Sequence, residues 1–165
     1  MATAETHGIV NVYNTNNLSQ SLFEMKDHFF PVNDIQFTWN QPWMATCGND
    51  TLLNMHDLNK GQLVRTFMGG HQSFISRCKF NAQENLLLSV GADGYLFIYD
   101  IRQNKMIQKI FAHPEPLTGV DISTDSSLVC TSAYDGYVRL WDFHRSSCVK
   151  TLITETGSTS AVSCL

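Results

Sequence analysis

A unit of about 43 residues recurs along the chain, and this repeat restricts the fold more than any other feature. Turn acids stand at Asp50, Asp93 and Asp135, spaced by 43 and 42 residues, and each precedes a closing acid (Asp57, Asp100, Asp142) by seven. A histidine after a mostly small or polar residue recurs with the same spacing at Asp27-His28, Gly70-His71 and Ala112-His113. A partial copy comes first: "HGIVNVYN" (7–14) matches the second half of the unit and sets Asn14 43 residues ahead of Asp57. Three landmarks agreeing on one period define a repeat protein.

Inside each unit the local pattern is β. "VNDIQF" (32–37), "FISRCKF" (74–80) and "LTGVDIS" (117–123) read as first strands. "WMATCG", "LLLSVG" and "LVCTSA" follow as second strands, small and apolar almost throughout, hence buried on both faces. "LLNMHD", "YLFIYD" and "YVRLWD" alternate with period two as third strands. "QLVRTF", "MIQKIF" and "CVKTLI" close the units as fourth strands, and polar pieces such as "LNKG" and "RQNK" make the turns before them. Helical periodicity is missing over any useful window. Four strands per repeat, arranged radially, is the arithmetic of a β-propeller blade. The fold class is all-β. About four blades are expected in an open or partial ring: 1–26 a partial blade, 27–69, 70–111 and 112–153 full blades, and 154–165 the first strand of the next.

Composition narrows the function classes. The net charge of −4 supplies no basic excess to displace counterions, so no direct nucleic-acid binding is expected. No long apolar stretch is present to span a membrane, and "MATAETHGIV" lacks the basic-then-apolar order of a secretory leader. Five scattered cysteines (Cys47, Cys78, Cys130, Cys148, Cys164) without a CxxC pair read as reduced, largely packed thiols of an intracellular protein. The sequons at Asn17 and Asn49 are then coincidental. No phosphate-cradling glycine loop, zinc-ligand spacing or nucleophile beside a base stands out, so neither cofactor nor metal is expected, nor catalysis.

The His … Asp-Gly … Trp-Asp grammar resembles the WD-repeat family over the whole chain. That resemblance implies a chain of buried contacts: the turn aspartate meets the entrance histidine, which meets a Ser or Thr on the second strand, which meets the tryptophan. Carried over, the fullest set is His113, Asp135, Thr131 and Trp141. The next is His71, Asp93 and Ser89, with Tyr99 at the tryptophan's place. The third is His28, Asp50 and Thr46, with His56 at that place and Thr51 replacing the turn glycine. In the partial blade His7 replaces the acid and Tyr13 the tryptophan. The resemblance reads these groups as scaffold, because they recur in every blade.

Residues 112–153 are similar, beyond the shared grammar, to the WD-repeat scaffold subunit of COMPASS/MLL-type histone H3 lysine methyltransferase complexes, through "AHPEP", "DSSL", "SAYDGYVRLWD" and "CVKTL". In animal members of that branch, aromatics at the channel mouth hold an arginine, and one of these aromatics lies five residues after an entrance histidine. The matching positions here are Ser76, Asn33 and Thr118, so a scaffold role without that cage fits better. Trp39 and Trp43 in "FTWNQPW" are candidate docking residues in a first-to-second strand loop, or else they tuck against the blade edge. Phe29 and Phe30 read as packing between blades.

The resemblance therefore implies a nuclear (alternatively cytoplasmic) interaction scaffold whose partners are other protein subunits, among them methyltransferase components and the histone H3 tail. The alternatives are a scaffold in RNA processing or ubiquitin ligation, or an enzyme subunit. About sixteen strands, grouped three, twelve and one, leave both terminal blades incomplete. Either a longer chain completes the ring, or two copies close it by self-association.

Overall fold

A computed structural model describes residues 1–153, which form fifteen strands and no helix. β1 (Ala2–Ala4), β2 (Val10–Asn14) and β3 (Asn17–Met25) make a three-stranded antiparallel sheet. Three four-stranded meanders follow. The first is β4 (Val32–Phe37), β5 (Trp43–Gly48), β6 (Leu53–Asp57) and β7 (Gln62–Phe67). The second is β8 (Ile75–Phe80), β9 (Leu86–Gly91), β10 (Tyr95–Asp100) and β11 (Lys105–Phe111), and the third β12 (Leu117–Ile122), β13 (Leu128–Ala133), β14 (Val138–Asp142) and β15 (Ser147–Leu152). The sixteenth strand expected from the sequence lies outside the described residues, as does Cys164. Among the described residues the four sheets are propeller blades in an open, all-β arrangement.

The period-two pattern decides where the core sits. Alternate residues of one strand face opposite sides of the sheet, so each blade feeds two cores. On β10, Phe97 and Tyr99 pack with Leu53, Met55 and Phe67 of the blade before, whereas Leu96 and Ile98 pack with Leu117, Val129 and Trp141 of the blade after. A third cluster joins Val10, Val12 and Met25 to Met44. The core therefore lies between blades, and burying a side chain such as Phe97 contributes about 2–3 kcal/mol. The far face of the last sheet differs: Leu128, Cys130 and Leu140 remain partly exposed there.

The inner strands β4, β8 and β12 stand side by side. Each carries a bulge against its neighbour, the register shifting between Val32 and Asp34, Ile75 and Arg77, and Leu117 and Gly119. The turn from second to third strand requires a left-handed residue. Gly94 and Gly136 supply it at φ 79°, and Thr51 is held at φ 66° in the same place, a strain of roughly 1–2 kcal/mol for a side chain with a Cβ. Of the thiols, Cys47 and Cys78 are buried and Cys130 half-buried. Cys148 is exposed, against the packed role expected for it, because β15 is an outer edge strand.

Candidate docking surfaces and the network that holds them

Three blades build the same buried relay at one end of the strands. In the last, His113 Nδ1 lies 2.8 Å from Asp135 Oδ2, its Nε2 lies 3.0 Å from Thr131 Oγ1, and Trp141 Nε1–H donates to that oxygen at 2.9 Å. The proton order follows from the two ends. The indole only donates and the carboxylate only accepts, so Thr131 donates to Nε2 and His113 carries its proton on Nδ1. His71 meets Asp93 at 3.0 Å and Ser89 at 2.8 Å; His28 meets Asp50 and Thr46, both at 2.8 Å. The carboxylates gather main-chain donors as well. Phe29 and Leu52 N–H serve Asp50, Gln72 and Tyr95 N–H serve Asp93, and Tyr137 N–H serves Asp135. Pro114 follows His113 and has no N–H to give. Arg139 stands there instead, 3.6 Å from Asp135 and donating to Ala112 O.

The tryptophan's place is filled differently in the other blades. Tyr99 is buried with its hydroxyl on Ser89, and burial outweighs that bond to push the phenol up to about 12. His56 donates from Nε2 to Thr46 Oγ1 at 3.0 Å. Its Nδ1 has no hydrogen-bond partner among the described residues, because Asp27 Oδ2 is 3.6 Å away. Burial, reinforced by nearby His28, lowers His56 to about 4. Burial likewise lowers His113 against the attraction of Asp135. Burial alone would raise Asp93, but the bonds from His71, Gln72 and Tyr95 together bring it below the ordinary carboxylate value. His7, at the acid's place in the first sheet, is exposed and has no side-chain hydrogen bond among the described residues.

The positions compared with an arginine cage have another use. Asn33, Ser76 and Thr118 are the extra residues of the three inner-strand bulges, a geometry that re-aims a side chain. Asn33 Nδ2 donates to Ile75 O at 2.7 Å and Ser76 Oγ to Leu117 O at 2.6 Å, each tying its inner strand to the next. Thr118 Oγ1 lies 3.0 Å from Ser132 Oγ. Asn33 and Ser76 staple blade to blade, and Thr118 ties β12 to β13 within its own sheet, around a small cleft of about 210 Å³ that Phe74 and Tyr134 flank.

The exposed aromatics are distributed otherwise than expected. Phe29 is 81% and Phe30 58% exposed, so they do not pack between blades. Their main chain is held down by the Asp50 carboxylate on Phe29 N–H, and the first sheet's turn lies against the carbonyls of His28 and Phe30. The rings are left to point away. At the opposite end of the strands, Trp43 packs against the core between the second and third blades, whereas Trp39 is 97% exposed. Sequence reasoning did not single out Glu84, the residue that fixes this loop. It is buried, left-handed at φ 56°, and its carboxylate takes the N–H groups of Trp39, Asn40 and Gln41 from the neighbouring blade. No local signal marks it, since its partners lie more than forty residues away.

No group of three or more metal-ligating side chains occurs among the described residues, nor any helix long and apolar enough to cross a membrane. The family of the WD domain, G-beta repeat, matches residues 19–57, 61–100 and 104–142. Similar curated proteins include COMPASS component SWD3 of Saccharomyces cerevisiae, 29% identical over 90% of this chain and 47% of that protein. Ribosome biogenesis protein YTM1 of Coprinopsis cinerea is 30% identical over 72% of this chain and 27% of its own length. The DDB1- and CUL4-associated factor 10 of Xenopus laevis is 29% identical over 77% and 27%. The chain thus spans about half the length of these relatives or less.

Proposed function

Because the chain belongs to the WD domain, G-beta repeat family, we propose that it is a non-catalytic protein-interaction scaffold, a nuclear structural subunit of a histone H3 lysine methyltransferase complex. One observation carries the scaffold role. The same His–Asp–hydroxyl relay is spent inside each of three blades, while large aromatics stand exposed at both ends of the strands. The relay fixes the loops, and rigid loops with exposed rings are the arrangement that docks partners at low entropic cost. Likeness to a COMPASS component over 90% of the chain supports the methyltransferase assignment. The inner-strand positions hold Asn33, Ser76 and Thr118 in place of aromatics, which favours reaching the histone H3 tail through other subunits.

A second reading, a scaffold in RNA processing or ubiquitin ligation, is favoured by relatives of nearly equal identity named for ribosome biogenesis and for association with DDB1 and CUL4. One experiment separates the two. Affinity purification of the tagged gene product, followed by mass spectrometry, is expected to recover methyltransferase subunits in fixed proportion. Recovery of preribosomal or cullin-ligase components instead decides for the second reading.

A further inference from the structure

At the strand ends opposite the histidine relays, the first-strand ends of three consecutive blades surround a groove of about 960 Å³. Ile35, Phe37, Phe80 and Ile122 form its apolar wall and Trp39 its rim. We propose that this groove binds an extended peptide of a partner protein in which a large apolar side chain lies close to a lysine or arginine. The proposal rests on the scaffold reading only in taking the occupant to be protein.

Preorganisation is the first argument. The Trp39 indole is almost wholly in water, yet its loop has little freedom. Glu84 of the next blade clamps three successive N–H groups of the loop, Asn40 at 2.8 Å and Gln41 at 3.1 Å among them. From within, Thr38 Oγ1 donates to Gln41 O at 2.6 Å, and Thr38 N–H donates to Trp43 O at 3.1 Å. An indole held out by a fixed loop meets a ligand without further ordering.

Charge names the occupant. Among the described residues three ionic groups line the groove: Glu84, Asp121 and Lys79. Glu84 is buried and committed to the loop. Lys79 is paired with Asp121 Oδ1 at 3.2 Å, an oxygen that also takes the Ile122 N–H at 2.9 Å. That leaves Oδ2 of the half-exposed Asp121 as the open acceptor, with no hydrogen bond among the described residues. Two carboxylates against one ammonium leave the groove one net negative charge, and with the Trp39 indole at its rim this is complementary to a cation. The apolar wall beside it takes the neighbouring side chain. An acidic or phosphorylated segment finds no unpaired cation among the described residues that line the groove.

Panning a phage-displayed library of random twelve-residue peptides against the 165-residue chain tests this, with Trp39→Ala and Asp121→Lys as parallel targets. The expected result is a consensus with Leu, Ile, Phe or Met within three positions of Lys or Arg. A synthetic peptide of that sequence should lose at least tenfold in affinity on each variant while both melt like the parent. No enrichment, an acidic consensus, or equal binding to Trp39→Ala overturns the proposal. So does Trp39-dependent binding of a twelve-nucleotide poly-uridine RNA, which assigns the rim to base stacking. Failure here with methyltransferase subunits still co-purifying removes the groove and leaves the scaffold reading intact; the reverse pair of results does the opposite.

Discussion

Removing the Asp135 carboxylate tests whether the relays hold the wheel together. In the parent, both Asp135 oxygens face His113 Nδ1, at 2.8 and 3.0 Å, and Oδ1 also takes Tyr137 N–H at 3.1 Å. His113 is fully buried and the aspartate side chain is 8% exposed, so a water replaces the lost oxygens only in part. Asp135→Ala leaves the His113 Nδ1–H unpaired in the core and the Tyr137 N–H poorly paired at the turn. One buried donor without a partner costs about 1–3 kcal/mol, and the turn donor, nearer solvent, adds little. A net loss of about 2 kcal/mol corresponds to a melting point lower by roughly 4–8 °C for a chain of this size. Thermal melts followed by circular dichroism read this directly. Asp135→Asn keeps an acceptor for Nδ1–H and should recover a good part of the loss. Asp125→Ala is the control: this carboxylate is fully exposed, and its low pKa of about 2 comes from Ser123 and Ser127 on its own loop. If Asp135→Ala melts within 1 °C of the parent, the relay is ornamental and the reasoning fails.

Thr51→Gly should stabilise the protein by about 1 kcal/mol, because Thr51 holds φ 66° where Gly94 and Gly136 stand in the other blades; a lower urea midpoint would refute this. Gly70→Ala should destabilise by about 1–3 kcal/mol, since its Cβ would come within 2.1 Å of the Tyr99 hydroxyl, and adding Tyr99→Phe should restore most of that; additive losses in the double variant would count against the contact. Acid should weaken the second blade through His56. Its folded value of about 4 lies below its ordinary 6.5, so the unfolded chain binds the proton first. Stability is therefore complete above pH 6.5 and falls by up to about 3 kcal/mol as pH drops toward 4, a slope that His56→Gln should flatten in urea titrations at pH 7 and 4.5. Ser76→Ala removes the tie to Leu117 O and should cost about 1 kcal/mol, and an unchanged melt would refute the staple.

The repeat, the strands and therefore the blades are legible in the amino-acid order alone. Alternation along "YLFIYD" states that two faces are apolar, and the spacing of His71 to Asp93 matches that of His113 to Asp135. Such signals are local or periodic, and a periodic code can be read without knowing what lies beside each blade. What the neighbouring blade contributes was decided only in three dimensions. Asn33 and Ser76 turned out to sit on bulges and bond the next inner strand, because a bulge depends on register and not on residue type. Trp39 and Trp43 stand four residues apart and share one residue type, yet Glu84, arriving from the next blade, holds the loop that leaves Trp39 in water, whereas Trp43 opens β5 and meets the core. Phe29 and Phe30 stand exposed instead of packing between blades for the same kind of reason: the hydrogen bond that pins their backbone comes from Asp50, twenty-one residues on, and the sequence carries no mark of which way the rings then point.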